Sequence, residues 1–521
     1  MQTLSIPRVM ISAPSSSSGK TITVCTLLQL LPDAAAIKCG PDFIDPLFHR
    51  TVLGRKTGTI DLFFSTEAEA RALFAHDTAG AGVAVLEGAM GYYDGVTAAA
   101  PTTQASAFKT AQALHCPVVL VVDARGKSLS VCAEINGFAS FRERDGDRSG
   151  ICGVILNRCS AQLYQLLAPQ IRTACGLPTL GHLDHHEDAA IPSRHLGLAT
   201  PDTIDDVQTK LSTLAEAAAQ TLDVAGIAAL ARSAPPLTCE DFTEMFVRRA
   251  VDTTERVVET TTPRIAYAYD EAFCFYYREN LDLLSAFGAV VVPFSPLHDH
   301  QLPADCHALY LGGGYPELFP LLLADNTSML KSIRAYARSG APILAECGGF
   351  LYLQLAGVLP GTFSDTGHLT RFGYATLTAN EDTLLCKKGE HIRAHEFHYF
   401  DTTANGSAFT AAKPSGKTWQ CMVNARAVAD RPETSCRMHA TKTQPPNIVA
   451  GFPHLYFPSN PRFAARFVQA AQNFAARSAQ GVIGCANCCG TAAGNGCDTC
   501  RQRQCGQVSS TSSSGAQGAH A

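Results

Sequence analysis

Short apolar runs separated by helix-length segments recur through the first half of the chain. They lie at residues 8–12, 83–86, 117–122 and 153–156. Unbroken apolar runs of this length are typical of strands in a parallel sheet that helices cover on both faces. The first half is therefore predicted to be a doubly wound α/β domain. Such domains bind ligands at the carboxyl ends of their strands, where Glu87, Asp123 and Asn157 stand.

The same pattern starts again after a polar stretch at about residues 233–263. A strand is predicted at 264–269, a helix at 276–287 and the next strand at 289–293. Because 521 residues exceed what one core usually supports, we expect a second doubly wound α/β domain. The predicted division is a first domain at 1–235, a linker at 236–262, a second domain at 263–475 and a Cys-rich tail at 476–521.

Composition narrows the class of protein. Apolar residues make up 46% of the chain and charged residues 17%, as in ordinary globular proteins. The net charge of −5 gives no indication of binding to nucleic acid or to an anionic membrane. The sequence has no apolar run long enough to span a bilayer and no signal-peptide core. We therefore expect a cytoplasmic protein that acts on small molecules, and leave open whether it forms a homodimer.

The loop after the first apolar run has the parts of a P-loop. Residues 13–18 are small or hydroxylated, and Gly19, Lys20 and Thr21 lead into a helical pattern. In such loops backbone amides from Ser18 onward cradle phosphates, the lysine reaches the β and γ oxygens, and the threonine hydroxyl binds Mg²⁺. Pro14 departs from the usual glycine. A Ser-rich linker is the alternative, but the flanking strand and helix favour an ATP site.

Two further loops of the first half are dense in acids and glycines. Residues 38–46 (KCGPDFIDP) combine Lys38 with Asp42 and Asp45, and residues 86–95 (LEGAMGYYDG) combine Glu87 with Asp94. Together with the P-loop and residues 120–128 (LVVDARGKS), these motifs resemble the cobyrinic acid a,c-diamide synthase family. In that family the first domain is similar to dethiobiotin synthetase. The resemblance implies that Asp45, Glu87 and Asp94 line the site for ATP, Mg²⁺ and the substrate carboxylate.

In the second half, one cysteine occupies a predicted strand-to-helix elbow. Apolar residues 341–344 lead into Glu346 and Cys347, and two glycines precede a helical pattern from Phe350. This geometry presents a nucleophile above a sheet. The helix N-terminus is expected to lower the pKa of the thiol, and the Gly348 amide is placed to bind an oxyanion. A buried structural cysteine is the alternative.

A glycine-rich strand end and a late histidine complete the pattern. Gly313 and Gly314 follow a short strand and would expose amides to an oxyanion, and His454 is a base for the thiol. The segments GGGYPE, AECGGF and this histidine resemble class I glutamine amidotransferase domains. The resemblance implies that Cys347 attacks glutamine and His454 moves the proton. Many such domains place a glutamate two residues after the histidine, where this chain has Tyr456.

Two Cys/His-rich segments stay without a firm role. His395 and His398 lie in HEFHY, where strand alternation puts them on opposite faces and weakens a metal site. In the tail, the spacing of Cys485, Cys488, Cys497 and Cys500 is typical of a Zn²⁺ site. An iron–sulfur cluster, a cobalt- or nickel-binding tail or a disordered segment are the alternatives.

The family resemblance implies one reaction. It is ATP- and glutamine-dependent amidation of the a and c carboxylates of cobyrinate through acyl phosphates, in cobalamin biosynthesis. Cobyric acid synthase shares both domains, and hydrogenobyrinate or a nickel tetrapyrrole would suit the same architecture. From another class, a P-loop regulatory ATPase with an inactive amidotransferase domain remains an alternative, which the presence of both Cys347 and His454 disfavours.

Overall fold

The computed structural model describes residues 1–98, 100–143, 146–184, 207–250, 262–427 and 445–480. Its strands in the first half are β1 (Gln2–Leu4), β2 (Arg8–Ser12), β3 (Ala34–Cys39), β4 (Thr57–Ile60), β5 (Val83–Glu87), β6 (Val118–Asp123), β7 (Ile151–Asn157) and β8 (Thr179–Leu183). Its helices there are α1 (Lys20–Leu30), α2 (Ile44–Thr51), α3 (Glu67–Asp77), α4 (Ala107–Ala113), α5 (Ser130–Ser140), α6 (Ala161–Cys175), α7 (Val207–Ala219) and α8 (Val224–Arg232).

Strands β2 to β8 form one parallel sheet in the order β4-β3-β5-β2-β6-β7-β8. Successive residues of the central strand, Val9 and Met10, are fully buried in different core clusters, one on each face of the sheet. Helices therefore cover both faces, as the unbroken apolar runs predicted. The crossovers bring the P-loop and the ends of β5, β6 and β7 to one edge of the sheet.

The start of the predicted linker is ordered and packs on the first half. It contains β9 (Leu237–Cys239) and α9 (Phe242–Ala250). Strand β9 pairs antiparallel with β1, and Phe246 of α9 is fully buried. Residues 251–261 lie outside the described residues. Although this region is mostly polar, helix α9 has a short apolar face that packs against the first half.

The second half forms three sheets within its described residues. Its strands are β10 (Arg264–Ala268), β11 (Val290–Phe294), β12 (Ala308–Leu311), β13 (Ile343–Glu346), β14 (Phe363–Asp365), β15 (Arg371–Ala379), β16 (His391–His398), β17 (Phe400–Thr402), β18 (Phe409–Ala412), β19 (Thr418–Cys421), β20 (Val423–Ala425), β21 (Ile448–Gly451) and β22 (His454–Leu455). Its helices are α10 (Arg278–Ala286), α11 (Pro320–Asp325), α12 (Thr327–Arg338), α13 (Gly348–Leu355) and α14 (Arg462–Ala479).

The largest sheet has the order β11-β10-β12-β13-β21-β20 and is parallel except at β20. This is the predicted second α/β core. An antiparallel sheet in the order β19-β18-β15-β16-β22 packs beside it and was not predicted. The smallest sheet pairs only β14 with β17. No helix in the described ranges is long and apolar enough to cross a membrane.

An aromatic cluster joins the two halves. The ring of Phe64 lies 5.6 Å from Tyr277 and 4.7 Å from Tyr456, and the ring of Phe63 lies 4.4 Å from Tyr374. The Tyr374 hydroxyl also donates a 2.6 Å hydrogen bond to Asp61. Because these side chains are largely buried, the two halves share a core at this junction.

Candidate active sites

The predicted elbow is present at Cys347. This residue lies between β13 and α13 with φ +49° and ψ −111°, a left-handed conformation that is strained for a residue with a side chain. Its amide donates to the Gly451 carbonyl at 2.8 Å, which holds the turn. A Cβ at Gly349 would lie 2.3 Å from the Leu311 carbonyl, so only glycine lets the helix start this close to β12.

The thiol and the predicted base meet beside the glycine-rich loop. A Cβ added at Gly313 would lie 2.4 Å from His454 Cε1 and 3.2 Å from Cys347 Cβ. The imidazole and the cysteine therefore face the same small volume, which stays open because Gly313 has no side chain. The structure thus brings together three segments that are far apart in the sequence.

The protonation states differ from the expectation. Burial, followed by Glu317, raises the pKa of Cys347 to about 12, although the Gly348 amide acts in the opposite direction. The predicted lowering of this pKa by the helix N-terminus is therefore wrong, because desolvation outweighs one amide. Burial, with His395 and His398, also lowers the pKa of His454 to about 3. Both groups are neutral at pH 7.

The carboxyl group closest to the histidine in the described ranges is that of Glu346, which makes no hydrogen bond with the imidazole and whose pKa burial raises to about 8. Its Oε2 lies 4.0 Å from His454 Nδ1, and it accepts hydrogen bonds from Tyr310 Oη at 3.0 Å and from the Leu455 amide at 3.1 Å. Tyr456 itself is fully buried in the aromatic cluster. The sequence signal was the position of Glu346, at the end of the strand that carries the nucleophile.

The predicted oxyanion donors surround the elbow. The Gly348 amide contacts the Cys347 thiol, and the Gly314 nitrogen lies 3.6 Å from where a Cβ of Gly348 would stand. The Gly313 carbonyl accepts from the Phe275 amide at 3.0 Å, which fixes the loop. The oxyanion role of Gly313, Gly314 and Gly348 stays a prediction.

The HEFHY segment borders the thiol site on strand β16. His395 is paired directly opposite His454, and the His398 ring stacks 3.9 Å from Phe452. Glu396 is buried, and its charge is among those that raise the pKa of Cys347. Burial raises the pKa of Glu396 itself to about 7. These side chains therefore line the thiol site.

In the first half, backbone carbonyls of the predicted P-loop and of a neighbouring loop bind the Lys20 side chain. Lys20 Nζ donates to the carbonyls of Ser15 at 2.9 Å and Met90 at 2.6 Å. Gly19 has φ +104°, and a Cβ there would lie 2.0 Å from Asn157 Nδ2, which donates to the Ser18 carbonyl at 2.9 Å. The predicted residue Asn157 therefore holds the loop from behind.

A cavity of about 270 Å³ opens beside this loop. Its lining includes Ser15 to Ser18, the predicted Asp123 and three cations, Arg125, Lys127 and Arg158. Arg158 Nη1 lies 2.6 Å from Asp123 Oδ2. The motifs did not single out these cations as site residues, although each follows within five residues of a predicted strand end. A pocket of amides, hydroxyls and cations suits a polyphosphate.

A buried ion cluster lies at the end of β5. Lys38 Nζ contacts Asp45 and lies 3.1 Å from Glu87 Oε1, and Thr21 Oγ1 donates to the same oxygen at 2.6 Å. Burial would raise the pKa of Asp45, but Lys38 and His49 bring it down to about 2. Burial and Asp45 raise the pKa of Glu87 to about 7. The predicted residues Thr21, Asp45 and Glu87 are thus one cluster.

That cluster has the donor set of a Mg²⁺ site. The Thr21 hydroxyl and the Glu87 carboxyl are hard oxygen donors side by side. Glu87 Oε2 is buried and accepts no hydrogen bond within the described part of the chain. That oxygen lies 3.6 Å from His49 Nε2, and its position next to a P-loop threonine fits a nucleotide-bound cation.

Asp94 takes a supporting position. Its Oδ2 accepts from the Gly91 amide at 3.0 Å, and a Cβ at Gly91 would lie 2.5 Å from the Pro14 carbonyl. The acid therefore holds a tight turn against the phosphate loop. Its charge raises the pKa of Lys20 slightly, whereas burial and Lys38 lower that pKa to about 8. A direct contact of Asp94 with substrate stays a prediction.

Phe43 connects the two candidate sites, a role that its place in KCGPDFIDP did not reveal. Its ring lies 4.7 Å from the His454 ring and 4.3 Å from the Tyr277 ring. In the same loop, Asp42 lies 3.6 Å from Lys38. This loop therefore faces the ion cluster on one side and His454 on the other. The predicted tail ligands Cys485, Cys488, Cys497 and Cys500 lie outside the described residues.

Comparisons with known proteins cover both halves. Residues 264–461 match the family model described as a CobB/CobQ-like glutamine amidotransferase domain. The chain is 32% identical over 484 residues to a cobyrinate a,c-diamide synthase of Picrophilus torridus, covering 90% of this chain and 100% of that protein. It is 38% identical over 421 residues to the cobyrinate a,c-diamide synthase of Salmonella typhimurium, covering 77% of this chain and 88% of that protein. Thermotoga maritima PurLQS overlays on 41% of the chain with a TM-score of 0.31 at 17% identity.

Proposed function

The chain belongs to the cobyrinate a,c-diamide synthase family, and we propose that its two candidate sites divide the reaction, one releasing ammonia and the other activating carboxylates. The protein is a glutamine-dependent ligase of cobalamin biosynthesis. The observation that carries the division is that Phe43, in the loop of the ion cluster, packs on the histidine of the thiol site.

At the thiol site, His454 accepts the thiol proton while Cys347 Sγ attacks the carboxamide carbon of glutamine. Burial keeps the resting imidazole neutral, so a ring nitrogen is unprotonated and can accept this proton, although burial also makes it a weak base until charge develops beside it. The amides of Gly348 and Gly314 would receive the developing oxyanion. When the carbon–nitrogen bond breaks, His454 returns the proton and ammonia leaves. Water then hydrolyses the γ-glutamyl thioester to glutamate.

At the other site, the triphosphate of ATP would lie against Ser15–Ser18, with Arg125, Lys127 and Arg158 around it. Thr21 and Glu87 would hold Mg²⁺, which supplies positive charge to the phosphate oxygens. A substrate carboxylate attacks the γ-phosphorus and ADP leaves, giving an acyl phosphate. Ammonia then attacks the acyl carbon and phosphate leaves. Repeating the cycle on the a and c carboxylates of cobyrinate gives the diamide.

Ammonia would pass between the sites inside the protein. The loop at residues 38–46 contacts His454 through Phe43 and the ion cluster through Lys38. The buried aromatic cluster around Phe64 packs beside this junction and limits its contact with water. A neutral, small molecule crosses such an apolar boundary more readily than ammonium does.

The test separates the two half-reactions by substitution. Cys347→Ser should abolish amidation with glutamine and keep amidation with ammonium chloride, since only the nucleophile is lost. Lys20→Ala should lose both, since phosphate activation is lost. The measurement is mass spectrometry of cobyrinate after incubation with ATP and either nitrogen source, following two successive acid-to-amide changes. Glutamine-dependent amidation by the Cys347→Ser protein would refute the assignment.

A further inference from the structure

Outside both sites, three potential metal ligands converge where the two halves meet. His76 and Asp77 end helix α3, and Asp282 lies on α10 of the other half. One ligand atom from each, the His76 imidazole nitrogen and a carboxylate oxygen of both acids, lies within 4.8 Å of the others. His76 Nε2 and Asp282 Oδ2 are 3.0 Å apart.

Asp77 is the unusual member of this group. It is only 1% exposed, and neither of its carboxylate oxygens accepts a hydrogen bond from any residue that the structure describes. A Cβ at Gly58 would lie 2.1 Å from its Oδ2, so the backbone of β4 closes the site from behind. A buried carboxylate without partners is costly, and a bound cation is one way to satisfy it.

A second buried acid faces the same place. Glu279 Oε1 accepts from the Thr59 amide at 2.6 Å, but its Oε2 has no partner in the described ranges. The nearby cations are engaged: Arg278 Nε contacts Asp282 Oδ2 at 3.3 Å, and Lys56 Nζ donates to the carbonyls of His76 and Ala79. The cluster therefore has more carboxyl groups than direct cationic partners.

We propose that His76, Asp77 and Asp282 bind a divalent transition-metal cation, with Glu279 beside them. One imidazole nitrogen with carboxylate oxygens is a donor set for ions such as Zn²⁺ or Mn²⁺. The side chains of His76 and Asp282 are 35% and 26% exposed, which leaves a path for the ion. Because the ligands come from both halves, the ion would clamp α3 to α10, away from Thr21 and Glu87.

The alternative is a proton shared by Asp77 and Glu279. Burial, with Glu279 and Asp282, raises the pKa of Asp77 well above its usual value. A shared proton and a bound cation would satisfy the same oxygens, but the two cases differ in whether added metal raises the stability of the protein. Metal stabilises the protein only in the second case.

The experiment uses Mn²⁺ and the nucleotide-free full chain, because Mn²⁺ disfavours the thiolates of the cysteine-rich tail. Bound Mn²⁺ is counted by equilibrium dialysis, and Tm is measured with and without Mn²⁺. The variants are Asp77→Asn, which keeps the shape, and His76→Gln, whose side chain is partly exposed. The matched control is Asp33→Asn, an exposed acid of the same half.

We expect wild type and Asp33→Asn to bind one more Mn²⁺ than Asp77→Asn and to show a rise in Tm with Mn²⁺ that Asp77→Asn lacks. His76→Gln should weaken this binding at least about tenfold, and it decides the test if Asp77→Asn does not fold. Equal Mn²⁺ counts in wild type and the ligand variants would overturn the proposal. So would a wild-type Tm that falls with rising pH and ignores Mn²⁺.

Discussion

At the scale of single residues, burial sets the protonation of the thiol site. It keeps the Cys347 thiol protonated and the His454 imidazole neutral. The resting pair is therefore a thiol and a base rather than a thiolate and an imidazolium. In the proposed reaction, attack of Cys347 on glutamine is therefore coupled to proton transfer to His454, so the orientation of the imidazole matters. Glu346 is the carboxyl nearest to its Nδ1.

Glu346→Gln tests the role of this carboxyl. The amide keeps the shape but cannot carry the negative charge that would stabilise an imidazolium 4.0 Å away once His454 accepts the thiol proton, so glutaminase activity should fall about 10-fold to 100-fold. Amidation with ammonium chloride should not change, because the other site is untouched. The measurement is glutamate release set against ammonia-dependent amidation by the same preparation.

The matched control for that substitution is Glu381→Gln, an exposed glutamate of the same half. It should keep both activities. Full glutaminase activity in the Glu346→Gln protein would show that His454 accepts the proton without this charge.

At the scale of elements, the thiol site depends on three close backbone approaches. The elbow after β13, the loop after β12 and strand β22 meet where Gly313 leaves space. Parallel pairing of β12 with β13 holds the first two elements in place, and antiparallel pairing of β22 with β16 holds the third. A methyl group at Gly313 would press on the imidazole, although the sheets themselves would be unchanged.

Gly313→Ala should therefore abolish glutaminase activity and leave ammonia-dependent amidation intact. The added Cβ would lie 2.4 Å from His454 Cε1, so the ring must move. Gly137→Ala is the control, since a Cβ at that helical position meets nothing within 4 Å and should stabilise α5 by about 1 kcal/mol. A Gly313→Ala protein with normal glutamine turnover would contradict the described packing.

Sequence patterns predicted the elements that carry local signals. The strand at Arg8–Ser12, the P-loop and the Cys347 elbow follow from short apolar runs and glycines, and the structure has all three. The antiparallel sheet around β16 was not predicted: its hairpins β15–β16 and β18–β19 are local in the chain, but the pairing of β16 with β22 joins distant segments. Glu346 and Phe43 lie within the motifs AECGGF and KCGPDFIDP, but the motifs alone do not show that both side chains lie beside His454. That proximity depends on long-range contacts of the folded chain.

At the scale of the whole molecule, the two halves are built as one body around their junction. Aromatic rings from both halves interlock, and Tyr277 Oη donates to the Pro41 carbonyl at 3.2 Å. The same loop continues through Phe43 to the ion cluster. The proposed phosphate-activating site is thus separated from His454, the proposed base, by the single residue Phe43.

Phe43→Ala should uncouple the two half-reactions. Without the ring, His454 gains water and the boundary between the sites opens, so glutamine hydrolysis should exceed amide formation. The measurement is the ratio of glutamate to amide, which is close to one when the reactions are coupled. Phe141→Ala, an exposed ring of the same half, is the control. A ratio that stays near one in Phe43→Ala would remove this residue from the coupling.

The most direct test of the central claim follows the nitrogen atom itself. Wild-type protein is given ATP, cobyrinate and glutamine labelled with ¹⁵N in its amide, together with excess unlabelled ammonium chloride. If ammonia released at Cys347 is used within the same chain, both new amides carry ¹⁵N. Amides whose ¹⁵N content has been diluted to that of the mixed external pool would contradict the account.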